Sequence, residues 1–236
     1  MVFLLQFFRD LNDTIERYNM NDNKEKILII DFGSQFTQLI ARRVRECGVY
    51  SEIHPFNNIS NDTKSSEISG IIFSGGPHSV IKPGSPQAPQ WLFDSNVPIL
   101  GICYGQQTIV SQLGGAVINS GKREYGNSNL SIVSDSPLFE NVWSVDKDYQ
   151  VWMSHGDSVD QLPKGFKVIA KTDNAPCAAI SCEEKKYYGL QFHPEVYHTP
   201  NGSIIIKNFL DICAVKYDWT MSSFFEDQKN IIQTKV

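Results

Sequence analysis

The strongest constraint on the fold of this chain is an alternation of short apolar runs with segments of helical period. Lys26-Ile27-Leu28-Ile29-Ile30-Asp31 is a six-residue run ending just before Gly33, the pattern of a parallel strand buried on both faces. From Gln35 to Cys47, the apolar residues Leu39, Ile40, Val44 and Cys47 recur at helical spacing, with Arg42, Arg43 and Arg45 between them and Gly48 as a stop. The unit repeats, with strands expected at Val49 to His54, Gly70 to Ser74 and Val97 to Ile102, and a helix from about Gly105 to Leu113. Strands alternating with helices specify an α/β fold, a mostly parallel sheet with helices on both faces.

Beyond Gly115 the pattern changes. Shorter strand-like pieces are expected around Asn129 to Val133, Val151 to Ser154, Lys167 to Lys171, Cys177 to Cys182 and Tyr187 to His193, separated by Pro and Gly turns. These extend the sheet with antiparallel strands. Ser203 to Val215 carries Ile205, Ile206, Phe209, Ile212 and Cys213 at helical spacing and closes the domain.

One main domain, residues 25–217, is therefore expected within the 236 residues. Residues 1–24 read as an extension. Their apolar stretch Val2 to Phe8 is too short to span a bilayer, lacks the basic start of a secretory signal and soon meets Asp10, Asp13 and Glu16. Met20 raises the hypothesis of a later translation start. Residues 218–236 are polar and linker-like.

A net charge of -5 without a basic run gives no footprint for nucleic acid or an anionic membrane. Cysteines 47, 103, 177, 182 and 213 are scattered, odd in number and without CxxC spacing. Neither a disulfide framework nor a metal site is indicated, and a reducing, cytoplasmic setting is expected.

Gly101-Ile102-Cys103-Tyr104-Gly105 places a cysteine between an apolar strand and a helix, with glycine at both -2 and +2. That is the cysteine form of a nucleophile elbow, a tight turn where flanking side chains would strike neighbouring backbone. The helix N-terminus beside the sulfur favours thiolate, and the Tyr104 N–H can meet a developing oxyanion. His193-Pro194-Glu195 supplies the base and its orienter, because the strand from Tyr187 delivers His193 to its C-terminal end and residues i and i+2 of an extended segment share a face.

Ser74-Gly75-Gly76-Pro77 follows another strand, and its glycines allow close backbone approach. It reads as a second oxyanion donor or as an ordinary turn; an ATP-pyrophosphatase loop is contradicted by Pro77-His78 where an Asp is needed. Asp31-Phe32-Gly33 has none of the companions of a kinase motif and is a strand end. His54, His78 and His198 lack metal-ligand spacing.

In Gly101-Ile102-Cys103-Tyr104-Gly105-Gln106-Gln107, Ser74-Gly75-Gly76-Pro77 and Gln191-Phe192-His193-Pro194-Glu195, the chain resembles the class I (triad) glutamine amidotransferases over roughly residues 26 to 215. Ile30 to Gln35, Thr37 to Glu46, Val151 to Asp157 and Phe192 to Val196 are similar, more narrowly, to the amidotransferase domain of bacterial-type GMP synthetases. The resemblance implies a flavodoxin-like fold and a Cys103–His193–Glu195 triad that hydrolyses L-glutamine through a glutamyl thioester. It implies an oxyanion hole at Gly75, Gly76 and Tyr104, and glutamine contacts at Gln107, Ser154 and His155. It further implies no cofactor or metal in this domain and a partner ATP-pyrophosphatase domain using ATP and Mg²⁺ to aminate XMP to GMP. The Ser-Gly-Gly-x-Asp-Ser loop of that partner does not occur in the sequence, so it is expected on another domain or subunit, as is the surface for any homo-oligomer. An amidotransferase subunit of another synthase and a catalytically silent regulatory subunit remain the alternatives.

Overall fold

The computed structural model describes residues 25–59, 67–119 and 121–235; the extension expected over 1–24 lies outside them. In chain order the regular elements are β1 (Lys26–Asp31), α1 (Thr37–Glu46), β2 (Ser51–Pro55), β3 (Ile68–Phe73), β4 (Ile99–Ile102), α2 (Tyr104–Gln112), β5 (Ala116–Ile118), β6 (Glu124–Ile132), β7 (Asp148–His155), β8 (Ser158–Gln161), β9 (Lys167–Lys171), β10 (Ala179–Cys182), β11 (Tyr187–Leu190), α3 (Gly202–Ile212) and α4 (Met221–Lys235).

Among the described residues nine strands form one sheet in the order β2-β1-β3-β4-β11-β10-β9-β6-β7, and β5 pairs with β8 in a separate two-stranded ribbon. The first five run parallel and the last four join antiparallel, so the sheet changes character at β11. The parallel half has the 2-1-3-4-5 order of doubly wound flavodoxin-like sheets, which bind ligands beyond the carboxyl ends of their strands.

Alternation along β1 builds both faces of that half. Ile27 and Ile29 pack with Ile40, Ala41 and Val44 of α1 and Ile205, Ile206 and Phe209 of α3. Leu28 and Ile30 face the other way, packing with Phe32, Tyr104, Ile109 and the segment carrying Leu92 and Phe93. All four β1 residues are fully buried, each worth roughly 1.5–3 kcal/mol by transfer.

The structure moves several expected boundaries. The pieces expected at Asn129 to Val133 and Val151 to Ser154 are parts of longer strands that pair from Glu124↔His155 to Ser131↔Asp148. Backbone pairing, not apolar alternation, carries the added residues, since Glu124, Asn127 and Ser128 are polar. The β5–β8 ribbon was not anticipated. β11 ends at Leu190, three residues short of its expected end.

The tail is anchored: Trp219 N–H donates to Gly48 C=O at 2.9 Å. Tyr50, Trp219 and Phe224 rings lie within 6.4 Å of one another, and α4 follows. Among the described residues no helix is long and apolar enough to cross a membrane.

Candidate active site

Three carboxyl ends of parallel strands converge on one point. β4 ends at Ile102 and α2 starts at Tyr104, leaving Cys103 as the single residue of the turn, with φ 53° and ψ -106°. A non-glycine residue at positive φ is strained, and this one is held by its N–H donating to Leu190 C=O at 2.6 Å. The flanking glycines are required sterically. A Cβ at Gly101 would lie 2.5 Å from the Gly105 carbonyl carbon, and one at Gly105 would lie 2.3 Å from Phe73 O. Without them α2 could not seat its N-terminus on the sheet edge.

His193 and Glu195 reach the site by a route other than the one expected. Because β11 stops at Leu190 and Pro194-Glu195 lie in a turn, strand alternation does not pair them. The turn does so instead: His193 Nδ1 and Glu195 Oε1 are 2.8 Å apart, with His193 4% and Glu195 0% exposed. Nε2 is the ring nitrogen left for sulfur, and Cys103 and His193 line the same small cavity of about 350 Å³. Burial alone would push the imidazole's pKa down, but the Glu195 carboxylate and the Cys103 sulfur outweigh it and hold the pKa well above the ordinary value. Arg43 of α1 donates Nε–H to the Glu195 backbone carbonyl at 3.1 Å and is itself oriented by Glu46. Glu195 Oε2 is buried without a hydrogen-bond partner among the described residues.

Cys103 also opens onto a larger cavity of about 580 Å³, shared with Gly76, Tyr104, Gln107, Ser154 and His155. Tyr104 begins α2, so the first-turn N–H groups beside the sulfur have no intrahelical acceptor. Gly76 forms the opposing wall, where a Cβ would lie 2.8 Å from Phe32 O. Gly75 faces the His193 ring instead, a Cβ there standing 3.4 Å from Cε1.

Of the three residues expected against glutamine, Gln107 has Nε2 bonded to Asp157 C=O at 2.9 Å and Gln191 Oε1 at 3.1 Å. Ser154 turns its carbonyl to Cys103 Sγ at 3.6 Å. The His155 ring is occupied by protein, with Nε2 3.0 Å from Glu124 Oε2 and Nδ1 3.0 Å from Asp157 O. Burial works against charge on Glu124, yet the bonds from His155, Thr172 and Ser128 prevail and lower its pKa. His155 thus lines the cavity with both ring nitrogens held by protein.

Sequence reasoning passed over Arg123 and Asp157, which bring opposite charges to the larger cavity. Asp157 Oδ1 accepts from Asn119 Nδ2 at 3.0 Å, and Oδ2 accepts from Ser79 Oγ. The signal was present in the acidic end of Ser154-His155-Gly156-Asp157, but a charged residue after a strand has no distinctive spacing. Gln191 was also missed as a neighbour of sulfur, at 3.6 Å from Sγ.

The chain is similar to known proteins. The chain is 54% identical over 213 residues to a GMP synthase [glutamine-hydrolyzing] of Agrobacterium fabrum, covering 90% of this chain and 41% of that protein. The match to the same-named protein of Zymomonas mobilis is 54% over 202 residues, covering 85% and 38%. The chain thus spans about two fifths of the length of these curated relatives. Among solved structures, that of a candidate GMP synthase component from Thermoplasma acidophilum superposes with TM-score 0.68 at 30% identity, covering 87% of this chain and 98% of that one. A glutamine amidotransferase from Thermotoga maritima shares the fold, with TM-score 0.61 at 21% identity over 79% and 81% of the two chains. The family model for glutamine amidotransferase class-I matches residues 28–213, which span the Cys103 elbow, the His193–Glu195 pair and both cavities' floors. By that match and by these relatives, the chain belongs to the class-I glutamine amidotransferase family.

Proposed function

We propose that the chain hydrolyses L-glutamine to glutamate and ammonia and supplies that ammonia to an ATP-pyrophosphatase domain or subunit that converts XMP to GMP. The observation carrying this reading is a strained cysteine at a helix N-terminus, beside a buried His193–Glu195 pair, on the wall of a cavity that also carries Arg123 and Asp157. An α-amino acid bears one charge of each sign, and that cavity offers a partner for each.

In this mechanism the Cys103 proton passes to His193 Nε2 while Glu195 holds the imidazolium at Nδ1. The sulfur attacks the side-chain carbonyl carbon of glutamine, and the oxyanion meets N–H groups at Tyr104 and the Gly75-Gly76 turn. The C–N bond breaks, with His193 returning its proton to the departing ammonia. Water, deprotonated by His193, then cleaves the thioester and frees glutamate and the thiol. Each step uses side chains and backbone of this domain, so no cofactor or metal of its own is invoked; ATP and Mg²⁺ belong to the partner. A reducing cytoplasm suits a site that depends on a free thiol. The identity to GMP synthases of two species supports the XMP-aminating partner over other synthases.

The test is ammonia release by wild type and Cys103→Ala, with and without a GMP synthetase ATP-pyrophosphatase domain, XMP, ATP and Mg²⁺. Release that depends on Cys103 and rises with the partner system is expected. No Cys103-dependent release in either condition would overturn the reading.

A further inference from the structure

The sulfur of Cys103 has a neighbour that the triad does not account for. Gln191 Nε2 lies 3.6 Å from Sγ, and Gln191 Oε1 accepts from Gln107 Nε2 at 3.1 Å. The orientation of both amides follows from one fixed point. The Asp157 backbone carbonyl can only accept, so the Gln107 atom 2.9 Å from it is Nε2. That nitrogen gives its second hydrogen to Gln191, which must answer with Oε1, and Nε2 is left facing sulfur. Gln191 is 1% exposed and its backbone N–H is fixed on Ala178 C=O at 2.8 Å, so the residue is anchored out of solvent.

Two groups therefore act on the sulfur in opposite senses. The Ser154 carbonyl, 3.6 Å away, accepts the S–H and favours the neutral thiol. An N–H aimed at sulfur favours the anion, most strongly where water is excluded.

We propose that Gln191 is a catalytic residue of the hydrolysis described above, its amide N–H stabilising the Cys103 thiolate, and that Gln107 locks the amide in the donating orientation. The inference rests on the glutaminase reading and deepens it. When the S–H bond breaks, its electron pair stays on sulfur and the proton goes to His193 Nε2; Gln191 shares its hydrogen but transfers none. The same N–H meets the sulfur again when the C–S bond of the thioester breaks and the pair returns to it. Because both hydrogens of Gln107 Nε2 are used within the protein, Oε1 is what Gln107 offers to a ligand. Seating a ligand and holding the thiolate then share one side chain.

The experiment is the pH dependence of iodoacetamide alkylation at Cys103, localised by mass spectrometry on the full chain, for wild type, Gln191→Met and Gln107→Met. Loss of the N–H should raise the alkylation midpoint by about one to two pH units in Gln191→Met, with a smaller rise in Gln107→Met. Ammonia release by Gln191→Met should fall about 10- to 100-fold at neutral pH and recover as pH rises. Should Gln191→Met not fold, Gln107→Met decides: it leaves Gln191 in place without its lock, adds no charge beside the sulfur, and its midpoint should still rise. Alkylation profiles that overlay the wild type, with only thermal stability reduced, would overturn the proposal and leave Gln191 a packing residue. A shifted profile in a chain whose wild type releases no ammonia would uphold the amide–thiolate bond and sink the glutaminase reading.

Discussion

The hydroxyl of Thr199 donates to the His193 carbonyl at 2.7 Å and accepts the Trp152 N–H at 3.0 Å, while His193 N–H donates to Trp152 C=O at 3.0 Å. The edge strand β7 and the turn after β11 are thus joined by one direct backbone bond and one routed through a side chain. The base of the triad is thereby tied to β7, the strand that ends in Ser154 and His155.

Thr199→Val keeps the shape of that side chain and removes the bridge. It leaves a buried carbonyl and a buried N–H unpaired, at a cost of about 1–3 kcal/mol in stability. Ammonia release should lose about tenfold in kcat with a smaller change in KM, because His193 is displaced while the cavity is not. Thr199→Ser should restore most of both. Steady-state kinetics and thermal melts of the two variants check this.

Glu195→Gln should reverse the pH response of His193. In the wild type, burial lowers and the carboxylate and sulfur raise its pKa, with a net rise well above 6.5. A raised folded pKa contributes stability that is fully present below the unfolded value and is lost as pH climbs through the folded one. Without the carboxylate, burial dominates and the imidazole prefers to be neutral. The melting temperature of wild type minus variant should therefore be greatest near and just below about pH 6.5 and shrink at higher pH. A difference independent of pH would contradict the electrostatic assignment.

Gly101→Ala should fail for a steric reason. Its Cβ would sit 2.5 to 2.6 Å from backbone atoms of Gly105 and Gln106, which cannot rotate away. Pushing α2 off the sheet costs typically about 1–3 kcal/mol for an overpacked core and displaces Tyr104 N–H from the sulfur. Lower thermal stability together with loss of Cys103 alkylation should be seen; a wild-type rate of alkylation would mean the elbow tolerates the shift.

Arg123→Met should raise KM for glutamine about tenfold and leave kcat comparatively unchanged, as expected when a charge that binds ground and transition states alike is removed. Glutamine analogues lacking the α-carboxylate should then bind wild type and variant equally.

How much of this was legible in the sequence depended on whether local pattern or distant packing set each feature. β1 and α1 were readable because Ile27 to Ile30 and Leu39, Ile40, Val44 carry their periods within one window, and the structure keeps both elements. Cys103, His193 and Glu195 were readable as residue types in motifs. The geometry joining the last two was not: Pro194 forces a turn after Phe192, and the carboxylate meets the ring across that turn instead of along a strand face. β6 was under-read since Glu124, Asn127 and Ser128 have no apolar alternation, and their pairing with β7 depends on residues over 20 positions away. The roles of Gln191 and Thr199 were unreadable for the same cause. Each gains its place from a contact with an element far along the chain.

The backbone at Cys103 carries one more consequence. Its left-handed φ of 53° is a conformation in which glycine is at ease and cysteine is not, a difference of order 1–3 kcal/mol. Reactivity and durability are therefore opposed at a single position. Breeding this domain for heat resistance alone would favour Cys103→Gly, a relaxed turn with no nucleophile, so the cysteine at that elbow costs stability that only its chemistry returns.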